Sequence, residues 1–239
     1  MIAPRIRAAA VHLYTAIGAG LAFLATAEIC SSTPDPRLVF LLLAAAVLID
    51  ATDGVLARRW AIKRSLPTID GRTIDDIVDY LTYAFVPLLL IWRMGWVPEP
   101  GALWIVPALL GSLFGFANTG AKDETGGFFL GFPSYWNVVA FYAGFFHPWY
   151  GPAVNAAVIL VLTVLTVLPV RFLYPNLAPR PWRAPVIVGA LLWLGAMLSL
   201  LPEYPEAPAW AVWLSLIYPA FYVWLSVRLA GSALPSVAP

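Results

Sequence analysis

Six of the thirteen acidic residues in this chain lie between Asp50 and Asp79. Asp50 and Asp53 are three positions apart and Asp75 and Asp79 are four apart, the spacings that put side chains on one helix face. Asp50, Asp53, Gly54, Ala57 and Arg58 together cover one helical arc of about 140°. A carboxylate in an apolar segment is costly unless it faces a cavity, a partner or an ion. Two helices joined by a short connection are expected to be antiparallel neighbours, so the four carboxylates can converge in one polar pocket. Unneutralised, they would repel one another. Hard divalent cations relieve that repulsion because they prefer oxygen ligands. Two ions about 3.5–4 Å apart would clamp a diphosphate and stabilise its leaving group. A spare carboxylate can accept the proton of an attacking hydroxyl. Gly54, Ala57 and Gly71 are small and leave room for a bulky ligand, and Arg58 offers a planar fork suited to phosphate.

The elements that must position these residues are membrane helices. The 239-residue chain is 61% hydrophobic and only 11% charged, against about 25% charged in a soluble domain. The net charge of +1 and the lack of a basic tract give no footing for nucleic acid. Cys30 is the single cysteine, so no intramolecular disulfide can form, and it reads as a small apolar residue. The first apolar stretch is too long for a signal peptide's apolar region and reads as a retained helix. An all-α polytopic membrane bundle in one domain is predicted, with eight spans at about 8–29, 38–59, 73–92, 102–119, 135–149, 153–171, 184–201 and 209–229. The fifth is short and interrupted by Pro148, and pairs tightly with the sixth. With the N-terminus in the cytoplasm, twelve of the fourteen Lys and Arg residues fall on the inner side and only Arg37 and Arg93 fall outside. Both termini and the acidic cluster are then cytoplasmic.

The segment DATDGVLARRWAIKRSLPTIDGRTIDDIVD resembles the signature of the CDP-alcohol phosphotransferases. That signature has two acids three apart, the second followed by Gly, then Ala-Arg, a spacer, Gly, and two acids four apart. The chain matches it at Asp50, Asp53, Gly54, Ala57, Arg58, Gly71, Asp75 and Asp79. The resemblance implies that Asp50, Asp53 and Asp75 are metal ligands, and that Asp79 is both general base and ligand. It implies that Gly54, Ala57, Arg58 and Gly71 cradle the cytidine diphosphate, with two Mg²⁺ or Mn²⁺ ions as cofactor. The family fold is a six-helix membrane core that often forms a homodimer; eight helices would be that core plus two. Twelve residues separate Arg58 from Gly71, more than in much of the family. The stretches WAIKRSLPTIDGRTIDDIVDYLTYAFVPLLL, FFLGFPSYWNVVAFY and LPVRFLYPN resemble the bacterial phosphatidylcholine synthase branch. The resemblance therefore implies CDP-diacylglycerol and choline as substrates, phosphatidylcholine and CMP as products, and a bacterial inner-membrane location.

Choline carries a quaternary ammonium, which aromatic faces attract. Tyr83 lies one turn beyond Asp79 on the same face, and Tyr135 and Trp136 open the fifth helix at the inner side. These three are the candidate acceptor-binding residues, against interfacial aromatic packing as the plainer role. Asp70 and Asp76 are expected to pair with Arg72 or Lys63. His12 and His147 have no partner at ligand spacing, so a His-bound zinc is not expected. Arg171, Arg180 and Arg183 read as topology signals or headgroup contacts, with a phosphate contact as the alternative. Two other functions stay open: the same transfer to serine, inositol or glycerol phosphate, and a transporter or cation channel, which would show repeated halves with broken helices.

Overall fold

A computed structural model describes residues 2–60, 68–123 and 125–232. Lys63 and Arg64 therefore lie outside the described residues. The helices are α1 (Ile2–Ile29), α2 (Pro36–Arg59), α3 (Gly71–Asp79), α4 (Val86–Arg93), α5 (Ala102–Ala117), α6 (Trp136–Tyr150), α7 (Pro152–Val167), α8 (Arg183–Leu200), α9 (Ala209–Ser215) and α10 (Ile217–Ser232). A π-helical stretch, Tyr80–Phe85, joins α3 to α4, and a single turn at Leu216 joins α9 to α10. The described residues thus form eight rods, in an all-α membrane bundle. Four segments are long and apolar enough to cross a bilayer: Arg5–Ile29, Pro36–Arg59, Arg183–Glu203 and Ala209–Gly231. α5 and α7 are apolar but only 16 residues long. Large apolar side chains such as Leu13, Phe23, Phe114, Leu192 and Val227 point outward, as lipid-facing positions do.

Local chemistry sets the ends. Asp35 caps α2 by accepting from the Arg37 amide, with Pro36 in the first turn. Asp70 caps α3 in the same way, accepting from the Arg72 amide at 3.1 Å and the Thr73 hydroxyl at 2.8 Å. Pro87 can neither donate to the carbonyl of residue 83 nor pack against it, and the widened π-helical stretch lies directly before it. Gly151 (φ +77°) turns α6 straight into α7, so the expected tight pair is present.

The last turn of the sixth predicted span is a correction. α7 stops at Val167, because Leu168 precedes Pro169 and is extended (ψ 145°). Arg171–Leu173 then forms strand β3, which pairs antiparallel with β2 (Phe128–Leu130), itself paired with β1 (Lys122–Asp123). This small sheet is absent from the sequence expectation. Its signal was a short Phe-Phe-Leu run between Gly126-Gly127 and Gly131.

The aromatic core sits toward the end of the bundle where α2 begins and α6 ends. Phe40, Phe141, Phe145, Trp96 and Tyr204 pack edge-on or tilted there, with Phe145 and Tyr204 ring centroids 4.7 Å apart. Asn155 ties three segments by donating to the carbonyls of Trp96 (2.9 Å) and Ala143 (3.0 Å). The opposite end carries the acid-lined cavity and the sheet.

Gly131 joins β2 to the α6 approach with φ +87°, and a Cβ there would run into the Thr166 carbonyl oxygen. Its amide donates to Val170 O at 2.8 Å. Gly131→Ala should therefore destabilise the protein by about 1–3 kcal/mol, seen as a lower melting temperature of the detergent-purified protein. An unchanged melting temperature would refute this role.

Candidate active site

α2 and the α3–π-helical segment gather acids at one end of the bundle. One carboxylate oxygen from each of Asp50, Asp75 and Asp79 lies within 4.8 Å of the other two. Oxygens that share one hard cation at about 2.0–2.6 Å fall within that span, so these residues fit a divalent metal. The three line a cavity of about 820 Å³ together with Asp53, Gly54, Arg58, Arg72, Asp76, Tyr83, Lys122, Tyr135 and Arg183.

The predicted residues do not all arrive there in the same way. Asp53 is 7% exposed, and its Oδ2 accepts from Thr15 Oγ1 of α1 at 2.7 Å. It borders the cavity but stands apart from the close trio. Gly54 has a visible purpose: a Cβ there would come 3.3 Å from Arg58 Nη1, so its absence lets the guanidinium lie back along its own helix. Ala57 and Gly71 are not among the residues that line this cavity. Ala57 packs with Ala8 and Val11 of α1. A Cβ at Gly71 would lie 2.8 Å from His12 Cε1, so this glycine lets α1 approach the start of α3.

Tyr83 donates its hydroxyl to Asp50 Oδ2 at 2.8 Å, linking α2 to the π-helical stretch. Its ring lies 6.1 Å from that of Tyr135, which in turn lies 6.4 Å from Phe132. Trp136 takes a different position from Tyr135. It is 0% exposed, and its Nε1–H donates to Ser112 Oγ of α5 at 2.7 Å, so it faces the packed interior rather than the cavity. The turn at Ser134 (φ +55°), whose hydroxyl donates to the same Ser112 oxygen at 3.1 Å, sends neighbouring residues 135 and 136 to opposite sides.

A second, apolar cavity of about 430 Å³ adjoins the first. Its walls include Phe40, Leu43, Leu194 and Met197, and the two cavities share Tyr83, Phe132, Tyr135 and Pro175.

No family model matches the chain. It is 39% identical over 204 residues to a phosphatidylcholine synthase of Pseudomonas aeruginosa, which covers 84% of this chain and 82% of the relative. A phosphatidylcholine synthase of Rhizobium meliloti is 36% identical over 214 residues, covering 87% of this chain and 84% of its own. One from Legionella pneumophila is 34% identical over 223 residues, covering 90% and 86%. The chain belongs to the phosphatidylcholine synthase family. That family lies within the CDP-alcohol phosphotransferases, as the Asp50–Asp79 motif indicated.

For a member of this family, the residue the sequence reading missed is Lys122. It was placed only as an inner-side charge, yet β1 carries it to the cavity, where its Nζ lies 3.2 Å from Asp76 Oδ1. Arg72 holds the other oxygen of Asp76 at 3.6 Å, as one of the expected pairings had it. Burial alone would lower the Lys122 pKa, but Asp76, Asp79 and Asp75 outweigh it and hold it above its usual value. A signal was present: Lys122 is the only Lys or Arg between Arg93 and Arg171. Asp123 beside it accepts from the Gly126 amide (2.7 Å) and the Thr125 hydroxyl (2.9 Å), which hold its carboxyl below the ordinary value and close the hairpin turn.

Trp136→Phe removes the indole donor from a buried serine. It should cost about 1–3 kcal/mol, read as a drop in melting temperature. A variant as stable as the parent would show that this hydrogen bond contributes nothing.

Proposed function

We propose that this chain transfers the phosphatidyl group of CDP-diacylglycerol to choline and releases CMP. The observation that carries the reading is the adjoining pair of cavities: a polar, acid-lined one against an apolar one, with Tyr83, Phe132, Tyr135 and Pro175 in the shared wall. A substrate with a nucleotide-diphosphate head and hydrocarbon tails needs that combination, since each part is costly in the other's surroundings. The names of the relatives support the same donor and acceptor.

In this reading, Asp50, Asp75 and Asp79 hold Mn²⁺ or Mg²⁺, with Asp53 available to a second ion. A bound divalent cation would neutralise charge on the diphosphate and act as a Lewis acid there. Arg58 faces the phosphates with its planar donor fork. Asp79 takes the proton from the choline hydroxyl. The choline oxygen bonds to the phosphorus that carries diacylglycerol, and the bond from that phosphorus to the CMP oxygen breaks. Tyr83, Tyr135 and Phe132 offer ring faces to the trimethylammonium group, and Asp50 places an acid beside them. Tyr83 is then anchored by Asp50 while its ring faces choline. The acidic cavity lies at the end that carries most of the bases, which supports a cytoplasmic active site with both termini on that side, in a bacterial inner membrane.

Proteoliposomes given CDP-diacylglycerol, Mn²⁺ and labelled choline should form labelled phosphatidylcholine. Product from serine, inositol or glycerol phosphate in place of choline would overturn the acceptor assignment. Asp79→Asn should lower turnover by about 10²–10⁴-fold with helical content unchanged, and full activity would remove Asp79 as the base. Chelation with EDTA should abolish turnover, and added Mn²⁺ should restore it; activity that survives metal removal would sink the metal assignment.

A further inference from the structure

We infer that Lys122 binds the diphosphate of the donor nucleotide, latched into place by Asp76. This rests on the function proposed above and adds to it a residue that lies outside the Asp50–Asp79 motif.

Three observations lead there. The first is placement. Lys122 sits on β1, paired with Phe129 of β2, and β2 is paired with β3. The base of its side chain is therefore fixed by a sheet, while its Nζ lines the same cavity as the three clustered carboxylates. The second is the pattern of ion pairs. Among the described residues, Asp76 makes salt bridges to both Arg72 and Lys122, and none is made by Asp50, Asp75 or Asp79. An ammonium has three N–H donors. One is spent on Asp76, which leaves donors for a ligand in the cavity.

The third is charge balance. With Asp50, Asp53, Asp75 and Asp79 ionised, two divalent cations offset the four acids. The doubly anionic diphosphate then enters without compensation from either. Asp76 and Arg72 cancel each other. Arg58 and Lys122 bring two positive charges toward that diphosphate, one from α2 and one from the sheet. A buried anion left uncompensated would be costly, and a compact ammonium suits a phosphate as a point charge. Arg183 also borders the cavity, but it has no acid latch among the described salt bridges.

The test uses the full chain reconstituted in lipid. Lys122→Met should raise the KM for CDP-diacylglycerol by about tenfold or more and leave the KM for choline unchanged. The affinity for CDP with Mn²⁺, measured by calorimetry without turnover, should fall by a similar factor. Lys122→Arg should recover most of the loss, because it keeps the charge. Asp76→Asn should give an intermediate loss, since it frees the lysine without removing it. An equal rise in both KM values, an unchanged CDP affinity or no recovery by arginine would each overturn the inference. Should Lys122→Met fail to fold, Lys122→Gln carries the same comparison. The parent protein reads the functional proposal separately. If it binds CDP but makes no phosphatidylcholine, the choline assignment fails while the CDP arm still decides the role of Lys122.

Discussion

Asp50, Asp75 and Asp79 each bring an oxygen within 4.8 Å of the others in a chain that is 61% hydrophobic. Like charges at that distance in a low-dielectric setting repel strongly, and much of the structure around them can be understood as a response. Tyr83 donates to Asp50, and Thr15 donates to Asp53. Arg72 and Lys122 at the rim are tied to Asp76 rather than to the trio. Among the described residues the trio makes no direct ion pair, so its charge remains available to a ligand.

That arrangement divides the molecule. The end away from the acids is packed with interlocking aromatic rings and tied by Asn155, so it can hold the helices together without help from the site. The opposite end gives up packing for the acid-lined cavity, and the three-stranded sheet lies there. Non-helical backbone is tolerated where it leaves the hydrocarbon or lines a wet cavity. The sheet supplies its own hydrogen bonds, and it carries Lys122 in from a segment far from the motif.

The shared aromatic wall connects chemistry to the membrane. Tyr83 and Tyr135 each line both the acidic and the apolar cavity. Each has a polar tip and an apolar ring, and so can face both environments at little cost. The π-helical stretch that carries Tyr83 follows directly after Asp79. Widened turns of this kind are often found at functional sites, and here one sets the tyrosine against Asp50 on the neighbouring helix.

The helices, their order and the meeting of the acids were legible in the sequence, because they follow from local rules. Apolar length makes a membrane rod, and spacings of three and four place Asp50 with Asp53 and Asp75 with Asp79 on shared faces. Gly54 and Arg58 belong to the same class, since they answer to one another on one helix. What only the tertiary structure decided depends on contacts between distant segments. Ala57 and Gly71 make room for α1. Trp136 turns inward to Ser112, while its neighbour Tyr135 turns to the cavity, through a backbone twist at Ser134 that no periodicity encodes. Lys122 reaches the acids only because a sheet built from residues about fifty positions apart folds over them. Spacing along one helix fixes a face, but which face meets which partner is settled by packing across the bundle.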